Sequence, residues 1–406
     1  MKLEASESTS YRQLFGVSGF RQLAAGTVLA RTAGQLWQIA LILFVLQRFH
    51  SPALAGLASF LSIAPGLVVS PIAGALLDRQ GRLRMIFLDY VVATTALIVL
   101  GFLALSQHLG PAALLLVVAV SSLTVPLSAS GVRTLFPLVV PRSLWDRANG
   151  VDSGSQALAT VVGPALAGLL VAWIGGAGAF FATAGVYALA MLTLVGITDP
   201  QVKPRGSHTD SLGRASWQAL AYVLRNTSLR GIAITLFSGN VGFGIVTIAL
   251  PVLVFGRLHG GSGEVGELWA IAGVATVIAG LVAGRIDTEG RERGIVALGM
   301  GVTALGCAVL AFAHSAAFVV VAMVLFGLSA GPLDVGLFAL RQRRTDPRWF
   351  GRVFAVSMSL NFAGVPIGSA LAGPLVERSV ALALIVAVIG SLIAGVVPFL
   401  TIPREG

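Results

Sequence analysis

Residues 74–84 read GALLDRQGRLR. Four charges, at Asp78, Arg79, Arg82 and Arg84, fall within seven residues, directly after a window (51–77) that carries none. The skeleton D-x-x-G-R-x-R returns at Asp287, Gly290, Arg291 and Arg293, at an offset of 209 residues in a chain of 406. A charged knot that closes an apolar window, and recurs half a chain later, points to a duplicated bundle of membrane helices.

Composition agrees. The chain is 56% hydrophobic and only 11% charged, whereas a soluble domain is about one quarter charged. So few charges cannot cover a water-facing surface. Apolar runs recur at or above the ~18 to 20 residues that span a bilayer as helix, and a β-barrel would show short alternating segments instead. The fold class expected is an all-α membrane protein. Its net charge of +10 rests almost wholly on arginine, with Lys2 and Lys203 the only lysines. In a membrane chain such charge orients helices and does not imply nucleic acid. The single cysteine, Cys307, sits in an apolar run and excludes an internal disulfide.

Twelve spans can be marked, near 19–46, 51–77, 86–107, 110–136, 147–173, 177–198, 229–256, 265–285, 294–313, 315–340, 350–376 and 379–402. The longest interruption, 199–228, is polar and then places Leu212, Trp217, Leu220 and Leu224 at helical spacing. It reads as a linker followed by an amphipathic helix on the membrane surface. This divides the chain into an N-terminal six-helix bundle (1–198) and a C-terminal one (229–406). An even span number puts both termini on one side. Of the 27 Lys and Arg residues, 22 fall on that side, three (Arg48, Arg257, Arg378) on the other, and Arg31 and Arg133 within spans. Positive charge marks the cytoplasmic side, so both termini are expected inside.

A second internal match supports duplication. Residues 163–171, GPALAGLLV, align with 368–376, GSALAGPLV, at an offset of 205 with seven of nine positions identical. Arg147 and Arg352 share that offset, each opening its span. Two matches in the same order argue for homologous halves of parallel orientation, a mark of one class of secondary transporter with its site between the halves. The segments Gly163–Gly168 and Gly368–Gly373 are small-xxx-small faces for close helix packing. Pro164 and Pro366 are expected to bend their helices.

Topology explains the arginines of the repeated knot but not the matched carboxylates. A carboxylate at a span end can face another helix N-terminus. Asp78 with Arg352, and Asp287 with Arg147, are therefore expected to form latches across the halves, with Arg82 and Arg291 beside them and Gly74 as a packing position.

The stretch 74–84 is similar throughout to the loop 2–3 signature G-x-L-x-D-R-x-G-R-x-R of the major facilitator superfamily. Gly150, Gly163, Pro164 and Gly168 resemble the span-5 motif of its drug antiporters, with Ala159 and Ala167 where that motif has glycine. VPRSLWDRANG (140–150) and RQRRTDPRWFGRVFA (341–355) resemble the inside loops of the branch that holds enterobactin exporters and macrolide efflux pumps. The resemblance covers the whole chain. It implies twelve helices in two pseudo-symmetric bundles, a multi-pass place in a bacterial cytoplasmic (inner) membrane, and proton-driven export of a small amphiphilic or drug-like molecule by alternating access. The branch often carries Gly-Asp in span 1, where this chain has Gly34-Gln35.

Polar residues inside spans are functional candidates by default. Arg31, Gln35 and Gln38 share one broad face of span 1. Gln156 and Asn361 are repeat mates at offset 205, and Asn240 lies in span 7. These six are the expected substrate cavity. Asp334, the only charge from Ile295 to Leu340, is the first candidate for a proton carrier. Asp152 is the second, with Arg133 as an equally placed partner, and Asp89 reads as structural. GSGEVG (261–266) satisfies a dinucleotide-loop pattern but follows no strand. The five scattered histidines have no ligand spacing, no Walker loop appears, and no catalytic constellation stands out. No cofactor, metal or enzymatic activity is expected. The partners expected are the bilayer, a small substrate and protons, and the protein is expected to be a monomer. Two alternatives stay open. Arg31 and the missing span-1 carboxylate favour uptake or exchange of an anionic metabolite, and a non-transporting receptor or lipid-handling protein is the other.

Overall fold

The computed structural model describes residues 10–197, 212–285, 290–344 and 350–402, and every regular element among them is helical. In chain order these are α1 (Tyr11–Gly16), α2 (Phe20–Phe49), α3 (Pro52–Leu61), α4 (Ala64–Gln80), α5 (Arg82–Leu105), α6 (Pro111–Ser122), α7 (Val125–Val139) and α8 (Trp145–Thr193). Then follow α9 (Leu212–Arg225), α10 (Thr227–Arg257), α11 (Ser262–Ala283), α12 (Glu292–Ala311), α13 (Ala316–Arg344), α14 (Phe350–Arg378) and α15 (Val380–Thr401). Helix is what an apolar chain in lipid must adopt, because each backbone N–H and C=O then finds its partner within the segment.

Twelve traverses result. The helix α8, with 49 residues, would be ~74 Å long, more than twice a hydrocarbon core of ~30 Å. It is interrupted by Gly175, at φ 72 and ψ 170, which separates spans 5 and 6. Spans 2 and 4 differ from the continuous helices expected. Span 2 breaks at Ser62 and Ile63 between α3 and α4, and span 4 at Leu123 and Thr124 between α6 and α7. Each restarts with a proline in its first turn, Pro65 or Pro126. A proline there has no N–H to leave unpaired and is preset for helix. Spans 8 and 10 of the second half, α11 and α13, run unbroken, and α8 and α14 continue as helix through Pro164 and Pro366.

The repeated charged knot has a backbone reason. Gly81 joins α4 to α5 at φ 92, and its mate Gly290 precedes α12 at φ 70. This left-handed region costs a side chain steric energy that glycine avoids. Polar caps start other helices: Ser51 accepts from the Leu54 N–H of α3, Asn226 from Leu229 of α10, and Ser379 from Leu382 of α15.

Within the first half, α2 packs along α8, and α5 against α7 and α8. Within the second, α10 packs on α14 and α15, α11 on α13, and α12 on α13 and α15. The halves meet through two seams, α3 with α14 and α8 with α11. These are spans 2·11 and 5·8, which the internal repeat interchanges.

The buried core shows where the seams close. One continuous apolar cluster joins Leu36–Leu46 of α2, Ala167 and Val171 of α8, Ile245–Val254 of α10, Val265–Ala272 of α11, and Ala372 and Val376 of α14. All of these lie toward the face opposite the termini. Toward the termini the described core falls into separate clusters. One gathers Phe20, Leu23, Ile86, Leu135 and Leu194 from the first half, with Ala73, Leu77, Met85 and Leu127 in a smaller one beside it; another gathers Val223, Ile232, Val296, Leu337 and Ile402 from the second. Among the described residues, then, the halves share a core on the distal face and keep separate cores, with a cleft between them, on the termini face. Its outer wall is apolar and exposed, as at Val68, Leu116, Leu298 and Leu400, which suits lipid rather than water.

The helix predicted within 199–228 is α9. Its Val223 is fully buried against the second half, where α9 packs on α10 and α14, while Trp217 stays exposed. Asp287 lies outside the described residues, as do the side chains of Asp78, Asp334 and Arg352.

Candidate functional site

The inner helices α2 and α10 carry the polar residues. Arg31 projects from the middle of α2 to α8. Its guanidinium donates through Nη2 to Asp152 Oδ1 at 2.7 Å, and through Nη1 to the Asp152 carbonyl at 2.6 Å and to Ser155 Oγ at 2.5 Å. Sequence had placed Arg133 equally well as the partner of Asp152. The structure pairs Asp152 with Arg31, because α8 lies along α2 and barely touches α7. The two side chains are 15% and 22% exposed, so water reaches the pair without separating it. A charge pair at this depth is tolerable because each ion has an opposite partner and further hydrogen bonds.

In the second half Asn240 occupies the place of Arg31, at the offset of 209 that also relates Arg21 to Arg230 and Arg48 to Arg257. Its Nδ2 donates to Asn361 Oδ1 on α14 and to the Leu236 carbonyl at 3.0 Å. Thus the α2·α8 contact holds an ion pair and the equivalent α10·α14 contact an amide pair. Gln35 and Gln38 are half-buried on α2, and Gln156 is exposed on α8 one turn beyond Asp152.

The repeated glycines set how closely these helices approach. A Cβ on Gly163 would stand 2.4 Å from Gln35 Cβ, and one on Gly368 would stand 2.1 Å from the Val241 carbonyl oxygen. The first glycine of each segment thus packs inside its own half. The second packs across the seams: a Cβ on Gly168 would meet Gly266 Cα at 2.5 Å, and one on Gly373 would meet Ala53 Cα at 2.6 Å. Gly74, grouped with them from the sequence, has nothing within 4 Å of such a Cβ. It lies on α4 toward the cleft face, where the halves stand apart.

Of the expected latches, Arg147 is half-buried on α8 and Arg291 is exposed at the start of α12. Arg82 Nε donates to Thr134 Oγ1 of α7 at 3.2 Å. On the opposite face a contact not anticipated from sequence joins the halves. Glu377, ending α14, accepts from the Ala53 N–H at 3.2 Å and the Ser51 hydroxyl at 3.4 Å, at the start of α3. An anion there is favoured by the helix N-terminus.

Sequence reading also passed over a buried polar group beside Arg31. Asp89 of α5 is 4% exposed, and Oγ1 of Thr124, in the span-4 break, lies 2.6 Å from its Oδ1. The rings of Tyr90 and Tyr187 lie 5.9 Å apart at an angle of 48° next to it, and a Cβ on Gly34 would stand 3.3 Å from the Tyr187 hydroxyl. The signal available was the dipeptide Asp89-Tyr90 in a span otherwise free of charge beyond its first turn. In the second half, Gly242, Phe243, Val246, Trp269, Thr303, Cys307 and Phe326 line a small apolar recess. Among the described residues no three His, Cys, Asp or Glu side chains cluster as metal ligands would.

The sequence profile of the Major Facilitator Superfamily matches residues 23–286 and 232–406. An uncharacterized MFS-type transporter, y4rN, of Sinorhizobium fredii is 37% identical, covering 98% of each chain. The multidrug efflux pump Tap of Mycolicibacterium fortuitum is 27% identical over 86% of this chain and 88% of its own. Macrolide efflux protein A of Streptococcus pyogenes is 24% identical over 88% and 89%. Among solved structures, a bacterial homologue of the human lysosomal transporter Spinster, described as inward-facing and unoccupied, superposes with a TM-score of 0.72 at 14% identity, covering 96% of this chain and 99% of its own. The nucleoside transporter NupG superposes equally well, with a TM-score of 0.72 at 12% identity over 95% and 99%. The duplicated twelve-span bundle, its cleft between halves and the profile match over nearly the whole chain have one reading: the protein belongs to the major facilitator superfamily of membrane transporters.

Proposed function

We infer that this transporter exports a small amphiphilic compound by alternating access, in exchange for protons. The carrying observation is the Arg31–Asp152 pair. An uncompensated arginine beside the cleft would select an anion; this one is neutralised by a carboxylate and two further acceptors. That neutralisation favours a neutral or amphiphilic ligand over an anionic metabolite. The efflux names of the Tap and macrolide relatives support the same direction. With the arginine-rich loops cytoplasmic and the bundles bounded at 1–198 and 229–406, the conformation described is open inward. When the halves rock, Asp78–Arg352 and Asp287–Arg147 close the cytoplasmic face while the Glu377 contact opens the other. We assign proton exchange to Asp152 and, on its sequence position alone, to Asp334.

The test is uptake of ethidium and of erythromycin into everted vesicles under an imposed pH gradient, in wild type and in Asp152→Asn. Gradient-driven uptake lost in the variant supports the reading. Movement of anionic metabolites with no drug uptake supports the exchange alternative. Ligand binding without flux of either would mean a receptor or lipid-handling role.

A further inference from the structure

Asp89 is a carboxyl held inside a membrane span with no cation paired to it among the described residues; the pair nearby, Arg31–Asp152, is already satisfied. The groups that face Asp89 are polar but not positive. Thr124 and Ser128 come from the span-4 break and the turn after it, Tyr90 from its own helix and Tyr187 from α8. Arg31 of α2 lies beyond Tyr90, and Arg133 of α7 is exposed. The side chain of Asp78, at the far end of α4, is outside the described residues.

The hydrogen-bond geometry around Thr124 decides how the proton is arranged. Its Oγ1 lies 2.6 Å from Asp89 Oδ1 and 3.1 Å from the Ser121 carbonyl oxygen. A hydroxyl has one hydrogen to donate and can accept through its lone pairs. If Asp89 is ionised, Thr124 and Ser128 can both donate to it, but the contact between Thr124 Oγ1 and the Ser121 carbonyl then joins two acceptors and goes unmade. If Asp89 is protonated, its O–H donates to Thr124 Oγ1, whose own hydrogen goes to the Ser121 carbonyl, and the chain is complete. A buried carboxyl without a counter-ion favours the same state, since an isolated buried charge is costly. Thr124 does not cap α7 with its side chain, which leaves the hydroxyl for this chain. The position is the break of a discontinuous span, a place where transporters put coupling ions.

We propose that Asp89 is a proton-binding site of the transport cycle, neutral in the conformation described and able to exchange its proton only when the α6–α7 break shifts and admits water. The proton leaves Asp89 Oδ1 for that water, and the Thr124 hydroxyl, keeping its hydrogen, turns from the Ser121 carbonyl to donate a hydrogen bond to the carboxylate left behind. The site rests on the transport reading above and extends it from the cavity carboxylates to one behind them. Tyr90, which interacts electrostatically with both Asp89 and Arg31, is the route by which each site senses the other's charge.

The test reads protonation and conformation without any substrate, so that it stands apart from the vesicle experiment. Infrared difference spectra of the purified protein in lipid nanodiscs, over an acid-to-alkaline series, report protonated carboxyl groups. The expected result is a protonated-carboxyl band that is lost in Asp89→Asn and retained in Asp152→Asn. A band unchanged in Asp89→Asn overturns the proposal. The second readout is the distance between spin labels at Gln80→Cys and Arg285→Cys, on the cleft-facing ends of spans 2 and 8; Cys307, the native thiol, is buried. In the otherwise native protein the cleft distance shifts with pH. Asp89→Asn abolishes that shift, and Thr124→Val, which removes the hydroxyl at constant volume, moves its midpoint. An infrared band assigned to Asp89 with a distance shift unaltered in both variants would make Asp89 a static donor and overturn the proposal equally. If the label pair is pH-dependent only with Asp89 intact yet the vesicles show no drug uptake, the proton site stands and the export reading falls.

Discussion

The two halves of this transporter hold the same helix contact in two chemistries. Where α2 meets α8, Arg31 grips Asp152 and Ser155; where α10 meets α14, Asn240 grips Asn361. The backbones around them are matched. Gly163 and Gly368 bring the paired helices together, Gly168 and Gly373 seat the halves on each other, and Gly81 and Gly290 make the same left-handed turn. Duplication has kept the steric framework and released the polar residues. The first half holds Arg31, Asp152 and Asp89 within its spans and breaks spans 2 and 4, whereas the second half holds Asp334 in span 10 and its spans 8 and 10 are continuous. On the reading proposed above, the ion pair and the buried Asp89 are therefore features of the first half that the second does not copy.

The most severe way to break this asymmetry is to remove one partner of the ion pair. Arg31→Leu leaves Asp152 charged and largely enclosed. The expected loss is about 2–3 kcal/mol, less than the ~3–5 of a fully buried pair because water reaches both side chains. Asn240→Ala, at the equivalent place, breaks neutral hydrogen bonds and is expected to cost about 1 kcal/mol. Thermal melting of both variants in the same detergent measures the contrast. Equal losses would mean that the two contacts are energetically interchangeable. The double variant Arg31→Asn with Asp152→Asn copies the second half's chemistry into the first. It is expected to melt close to wild type but to lose the pH dependence of transport.

The seams offer a second contrast, within about 1–3 kcal/mol. In Gly168→Ala and Gly373→Ala the new methyl meets the backbone of the opposing helix, which cannot swing aside as a side chain can. Overpacking of this kind typically costs about 1–3 kcal/mol. Because both contacts lie on the distal face, the loss falls on the conformation described and shifts the equilibrium toward a distal-open one. The spin-label distance between Gln80→Cys and Arg285→Cys, which shortens as the termini face closes, reads that shift. The seams are not identical, since only α3·α14 carries the Glu377 contact. Glu377 is exposed, so Glu377→Gln is expected to remove about 0.3–1 kcal/mol and to weaken that seam alone. A variant that loosened both seams alike would show that they open as one unit.

What the sequence made legible was set by what repeats. Apolar runs disclosed the twelve traverses, and the offsets of 209 and 205 disclosed the duplication and the glycine segments, because helix approach tolerates few substitutions and leaves matching residues behind. Arg31, Asn240 and Asn361 were legible as lone polar residues in apolar runs. Their pairing was not: Arg133 competed for Asp152 on spacing alone, and only the long α2·α8 contact decides between them. The breaks in spans 2 and 4 were invisible because hydropathy is unchanged across Ser62 and Thr124. Asp89 was discounted because nothing in a linear sequence shows that a carboxyl lacks a cation. Glu377 was missed for the opposite reason, since a charge at a span end reads as ordinary loop until its partner helix is placed beside it.

The smallest expected effect concerns Gly74, and it separates the framework of the fold from the framework of the motion. Unlike Gly163 and Gly168, Gly74 has open space where a Cβ would go, although it opens the stretch that repeats in charge. Steric need in the cleft-open conformation therefore does not explain it. Alanine in a helix interior is favoured over glycine by about 0.5–1 kcal/mol, so Gly74→Ala should raise the melting temperature slightly. If the halves close on the termini face during transport, α4 must then approach the other half, and the added methyl obstructs that approach. The expected outcome is a variant that is marginally more stable yet slower in turnover, with the spin-label distance between Gln80→Cys and Arg285→Cys held at its open value. A Gly74→Ala protein of wild-type speed would remove this glycine from the closing contact and confine close packing between the halves to the distal seams.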